Sequence, residues 1–118
     1  MGTTKLTRSI EEELILNLVK QIKGSGKSYT CIVVRGRGGL SIAQKIAYKL
    51  NIKEVTFGEM TSTEGGLFVD DISCTGETLK KYRCDTATLV YRTTSKVKPT
   101  FFALEVNSAN YIKFSWEN

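Results

Sequence analysis

Leu67-Phe68-Val69-Asp70-Asp71-Ile72-Ser73-Cys74-Thr75-Gly76-Glu77-Thr78 is the stretch on which the reading of this chain turns. Three apolar residues in a row suit a strand buried on both faces, and such a strand delivers two adjacent carboxylates to its carboxyl end. A loop of hydroxyl residues around Gly76 follows and is predicted to run into a short helix that ends by Asp85. The backbone amides of residues 73 to 78, with the hydroxyls of Ser73, Thr75 and Thr78, suit a phosphate group, and Gly76 allows close approach of the backbone. Asp70 and Asp71 can accept hydrogen bonds from sugar hydroxyls or hold water around Mg²⁺. The plainer alternative is an Asp-rich strand end before a Ser/Thr-capped helix. Twelve residues in this order favour a cradle for a phosphorylated sugar.

Working outward, Ser9-Ile10-Glu11-Glu12 has the form of a capping box, and Leu14, Ile15, Leu18, Val19 and Ile22 follow at helical spacing. The spacing predicts a helix over 10–23, closed by Gly24-Ser25-Gly26. Tyr29 to Val34 reads as a strand, and Ile42, Ile46, Ala47 and Leu50 place a second helix after the glycine cluster Gly36 to Gly39. A weaker strand signal lies at Val55-Thr56-Phe57, two more strands at Ala87 to Tyr91 and Thr100 to Val106, and a last extended piece at Tyr111 to Phe114. Alternating strands and helices imply an α/β fold, a mostly parallel twisted sheet with helices on both faces and its ligand site at the carboxyl ends of the strands.

The chain has 118 residues, enough for one domain over 1–118. No apolar run approaches the roughly 18 residues of a membrane crossing, and the first residues have no signal-peptide form, so a cytoplasmic protein is expected. Lys and Arg number 17 against 12 Asp and Glu, a net charge of +5 that favours anionic partners. Histidine is absent, which removes imidazole as base, metal ligand or pH switch. Three cysteines without C-x-x-C spacing argue against both a disulfide framework and a zinc site.

Two glycine motifs fail as nucleotide loops. Gly24-Ser25-Gly26-Lys27-Ser28 lacks the earlier glycine of a P-loop, whose place is taken by Gln21, and it follows a helix instead of a strand. In Gly36-Arg37-Gly38-Gly39 the third glycine of a dinucleotide fingerprint would fall at Ser41.

The decisive segment resembles the PRPP-binding motif of type I phosphoribosyltransferases, in which apolar residues precede two acidic ones and a Thr-Gly-x-Thr loop. Val33 to Leu40 is similar to the family's pyrophosphate loop. Tyr111-Ile112 with Trp116-Glu117 is similar to the C-terminal hood, about 107–118, of the small bacterial and archaeal xanthine, guanine and hypoxanthine enzymes. The resemblance implies a phosphoribosyltransferase fold and transfer of a 5-phosphoribosyl group from PRPP to a nucleobase, a 6-oxopurine above all, with Mg²⁺ and release of pyrophosphate. It implies Asp70, Asp71 and Arg37 as catalytic, with Asp70 and Asp71 also toward the metal. Residues Ser73, Cys74, Thr75, Gly76, Glu77 and Thr78 would bind the 5′-phosphate, and Gly36, Arg37, Gly38 and Gly39 the pyrophosphate, with a cis peptide at Gly36-Arg37. Cys74, Arg92, Tyr111 and the Ile112 carbonyl would face the base, with Trp116 mainly packing the hood. A homodimer is expected on the same ground.

Two departures stand out. Cys74 occupies the place of a purine-type Asp, and a mostly neutral thiol is a weaker partner for a base nitrogen. Between Phe57 and Leu67 only nine residues remain where the family has a long closing loop, and Met60 to Glu64 is a stump by comparison. Both favour the rival expectation, a non-catalytic PRPP- or nucleotide-binding regulatory module that docks RNA through its basic surface.

Overall fold

The computed structural model describes residues 2–57, 65–73, 76–82, 84–107 and 111–117. Its first elements are strand β1 (Thr3–Lys5), helix α1 (Arg8–Gly24), strand β2 (Cys31–Val34), helix α2 (Arg37–Leu50) and strand β3 (Glu54–Phe57). They are followed by strand β4 (Gly66–Ser73), a 3₁₀ turn (Leu79–Lys81), and strands β5 (Asp85–Arg92), β6 (Phe101–Val106) and β7 (Tyr111–Lys113). The main sheet is entirely parallel, in the order β3-β2-β4-β5-β6, and β1 pairs with β7 in a separate parallel ribbon.

Strand alternation divides the core in two. Ile32, Val34, Leu67, Val69, Ala87 and Leu89 meet Ile15, Leu18, Val19 and Ile22 of α1 and Ile42, Ala43, Ile46 and Ala47 of α2. Val33 and Phe68, from the intervening positions, pack with Leu79 and Tyr82, whose ring stacks on Phe68 at 3.9 Å between centroids. Both helices therefore cover one face. The expectation of helices on both faces is corrected: among the described residues the second face is closed by the segment around the 3₁₀ turn.

The helix limits have local causes with one exception. Asn51, in the left-handed region at φ 58, caps α2, and the Ile52 amide reaches back to the Ala47 carbonyl at 2.8 Å. At the start of α1 the capping residue is Thr7, whose Oγ1 accepts from the Ile10 amide, so the Ser9 capping box is not formed. Glu11 is instead buried, and it accepts from the Ser115 amide at 2.7 Å and from the Ser115 hydroxyl. The acid of that box, Glu12, pairs with Lys45 of α2 at 2.9 Å, while Glu11 ties α1 to the far end of the chain. Among the described residues no helix is long and apolar enough to cross a membrane.

Candidate functional site

The order of the sheet creates a crevice. From β2 the chain moves outward through α2 to β3, then returns so that β4 pairs with the other side of β2. In open parallel sheets ligands bind at the carboxyl ends of the strands where the order reverses in this way. At that point β4 pairs with β2 only as far as Phe68, while its pairing with β5 continues to Ser73. Asp70 and Asp71 consequently lie within the strand, not in the loop after it, and Asp70 stands opposite Thr88 of β5.

Their orientation is set by the backbone. The Asp71 amide donates to Asp70 Oδ1 at 2.9 Å, and the Ile72 amide donates to Asp71 Oδ1 at 2.8 Å. Each carboxylate thereby spends one oxygen on the backbone. Asp70 is pushed up to about 7, first by burial and then by the charge of Asp71 and their shared hydrogen bond. Arg35, just past β2, pulls in the opposite direction. Asp70 therefore holds its proton to near neutrality.

The glycine cluster opens α2 directly. Gly36 is its extended N-cap without a side-chain cap, the Leu40 amide bonds to the Gly36 carbonyl at 3.1 Å, and Arg37, Gly38 and Gly39 form the first turn. Their three amides precede the first intrahelical bond and point out of the helix start, where the dipole favours an anion. A Cβ at Gly38 would collide with Asp71 Oδ2, and one at Gly39 would lie 2.8 Å from the Val69 carbonyl oxygen and 3.6 Å from Asp70 Oδ1. Lack of side chains is what allows the donor end of α2 to meet the carboxylate end of β4. Among the described residues no peptide bond is cis, so the expectation at Gly36-Arg37 is corrected. A helix that begins at Arg37 supplies the outward amides with trans geometry.

The phosphate loop is only partly described, and Cys74 and Thr75 lie outside the described residues, as do 58–64 of the short loop. Gly76 has φ +86, and a Cβ there would lie 2.6 Å from the Val97 amide nitrogen. The expected short helix after the loop is a single 3₁₀ turn of three residues, too short to carry an appreciable dipole. The Lys80 amide bonds to the Gly76 carbonyl at 3.0 Å, and Glu77 lies 3.8 Å from Lys80. Ser73 is buried and shares a 2.7 Å hydrogen bond with Ser95, whose hydroxyl donates on to the Val97 carbonyl at 2.8 Å. Its hydroxyl faces that internal network instead of the crevice.

The hood brings the last expected residues near. Tyr111 is exposed and donates to Glu117, while Ile112 and Phe114 are buried in the main core and Trp116 stacks on Phe114 at 4.6 Å. The Tyr111 hydroxyl is raised by Glu117 and burial, with a smaller contribution from the charge of Asp71. Trp116 Nε1 lies 3.5 Å from the Cβ position of Gly38, so the hood reaches the start of α2. Arg92 closes β5 half-buried, next to Val106 in register. Sequence reasoning missed Arg35 and Ser95. Arg35 had a legible signal, since it follows β2 as Asp70 follows Val69; Ser95 had none.

Among the described residues no three His, Cys, Asp or Glu side chains gather to hold a metal. Two adjacent carboxylates do fit the usual Mg²⁺ mode, in which one or two carboxylates add to water and to oxygens of the substrate's phosphates.

No protein-family model matches the chain, and no curated protein matches it by sequence. Solved structures do match. The purine phosphoribosyltransferase of Pyrococcus horikoshii superposes with a TM-score of 0.81 at 21% identity, over 100% of this chain and 95% of that one. The xanthine-guanine-hypoxanthine phosphoribosyltransferase of Helicobacter pylori gives 0.83 at 20%, over 98% and 92%. A hypothetical protein of Neisseria gonorrhoeae with bound ppGpp gives 0.72 at 18%, over 100% and 92%. A parallel sheet in this order, with acidic β4 and glycine-led α2 at its switch point, has the type I phosphoribosyltransferase fold.

Proposed function

We propose that this chain transfers the 5-phosphoribosyl group of PRPP to a nucleobase, a 6-oxopurine, and releases pyrophosphate. The observation that carries the reading is the meeting of the Asp70-Asp71 strand end with the open amides of α2, so close that a Cβ at position 38 would strike Asp71 Oδ2. One substrate that needs both halves is a sugar carrying a diphosphate. Asp70 and Asp71 accept from the ribose hydroxyls and stabilise positive charge at the anomeric carbon. Arg37 and the amides of Gly38 and Gly39 hold the leaving pyrophosphate. The amides of residues 74 to 78 and the Thr78 hydroxyl hold the 5′-phosphate, with Ser73 behind them.

Tyr111 offers its exposed ring to the base, Arg92 donates to an exocyclic oxygen, the Ile112 carbonyl accepts from an amine, and Cys74 lies at the base's edge. Mg²⁺ bound through Asp70 and Asp71 would neutralise charge on the pyrophosphate. No side chain serves as a nucleophile, and positioning with charge stabilisation is chemistry open to a protein without histidine.

A second reading, nucleotide or PRPP binding without turnover, is favoured by the three-residue turn after the phosphate loop and by the Ser73 to Ser95 bond. The N. gonorrhoeae structure with ppGpp is consistent with it. The deciding experiment incubates the protein with PRPP, Mg²⁺ and each 6-oxopurine and follows nucleotide and pyrophosphate. Product is expected, and the double variant Asp70→Asn with Asp71→Asn should abolish it while still melting cooperatively. PRPP binding without product from any base would establish the second reading.

A further inference from the structure

The ribbon β1–β7 carries a feature that transfer by the aspartates does not use. Its register sets Thr3 opposite Tyr111 and Lys5 opposite Lys113, so all four side chains stand on one face, while Ile112 turns inward to the core. With Glu117 they line a cavity of about 540 Å³. Like charges directly opposite in a ribbon are destabilising. Among the described residues neither ammonium is within ion-pair range of a carboxylate, and Glu117, the one acid lining the cavity, is bonded to the Tyr111 hydroxyl. The two lysines thus present paired positive charge that Glu117 offsets only in part, and with which no described carboxylate forms an ion pair.

The same cavity holds an exposed aromatic face. Tyr111 is 55% exposed, and the hood that carries it reaches the start of α2 through Trp116, whose Nε1 lies 3.5 Å from the Cβ position of Gly38. A planar ring laid on Tyr111 would present an edge toward the lysines. We propose that Lys5, Lys113 and Tyr111 form a binding site for a planar ring bearing an oxyanion. The oxyanion sits between the two ammonium groups and relieves their repulsion. A ring carboxylate would come with a pyrimidine acceptor in place of the 6-oxopurine, and a phosphate would come with a nucleotide held as an effector. The acceptor case rests on phosphoribosyl transfer but replaces its 6-oxopurine; the site itself rests on neither.

Calorimetric titration of the full chain without PRPP, using orotate, GMP and hypoxanthine as probes, tests the inference. The wild type should bind at least one of the two anions more tightly than neutral hypoxanthine. The double variant Lys5→Gln with Lys113→Gln should bind that anion about tenfold more weakly, with hypoxanthine unchanged. Preference for orotate identifies the acceptor source, and preference for GMP the nucleotide source. Lys113→Glu builds a cross-strand ion pair with Lys5; it should melt no lower than wild type and lose the anion. Equal anion affinity in wild type and double variant, or no preference for either anion over hypoxanthine, overturns the site. PRPP binding measured on the same variants stays intact if only this site is wrong, and is missing in wild type if the transfer reading has failed.

Discussion

Gly38 of α2 faces Asp71 of β4 so closely that a methyl group at position 38 would strike Asp71 Oδ2 and lie 3.1 Å from its Cγ. Gly39 is equally confined, but the obstacle there is the Val69 carbonyl at 2.8 Å, which belongs to the strand backbone. A side chain can swing away where a strand cannot. Gly38→Ala is therefore expected to keep its fold and lose at least about tenfold in turnover or PRPP affinity. Gly39→Ala should lose roughly 1–3 kcal/mol of stability. Urea denaturation of both, beside an activity assay, checks the contrast; equal destabilisation would show that Asp71 is as rigid as the strand.

Asp70 gives the folded protein a pH signature. Its carboxyl is raised from 3.8 to about 7, chiefly by burial and by Asp71, so the folded chain keeps a proton that the unfolded chain releases. The folded state then binds more protons across the window from about 4 to 7, and this group makes stability fall as pH rises through it. Asp70→Asn removes that slope. Its advantage over wild type should grow from about pH 4 and level off above about pH 7, reaching roughly 1–3 kcal/mol once solvent screening is allowed for. Melting curves in metal-free buffer over this range measure it, and parallel pH profiles would contradict the raised carboxyl.

Glu11 is the anchor of the hood, since both its oxygens are spent on Ser115. Charge-assisted bonds of this kind contribute about 1.5–3 kcal/mol each before coupling is considered. Glu11→Ala should lower stability by roughly 2–4 kcal/mol and raise KM for the base more than KM for PRPP, because the hood loosens while the aspartates stay in place. A uniform change in both KM values would show that the hood does not position the base.

Ser95 holds the Ser73 hydroxyl away from the crevice through a 2.7 Å bond. Ser95→Ala should cost about 1 kcal/mol and free that hydroxyl for a phosphate, so PRPP should bind more tightly. Isothermal titration with PRPP reads the effect, and unchanged affinity would show that Ser73 is a packing residue in either state.

Much of the fold was legible because its signals are local. The apolar runs at 31–34 and 67–69 and the helical spacing from Ile42 to Leu50 need only neighbours a few residues away, and the structure places β2, β4 and α2 there. β1 was missed for the converse reason: Thr3–Lys5 has no apolar pattern and becomes a strand by pairing with β7 at the other end of the chain. Ser9 reads as the helix cap because Glu12 completes the capping-box pattern, whereas the fold gives Glu12 to Lys45 of α2 and the cap to Thr7.

The chain's own order of residues determined which groups are candidates for the crevice: two carboxylates after an apolar strand, an arginine among glycines, and an aromatic near the end. What only tertiary structure decided was where those groups meet and which remain available. The extension of β4 through the aspartates depends on β5 alongside it, the rise of the Asp70 carboxyl on burial beneath neighbouring elements, and the withdrawal of Ser73 on a hydroxyl 22 residues away. Periodicity is a property of adjacent residues. Proton affinity and hydrogen-bond choice are properties of whatever the fold packs against them.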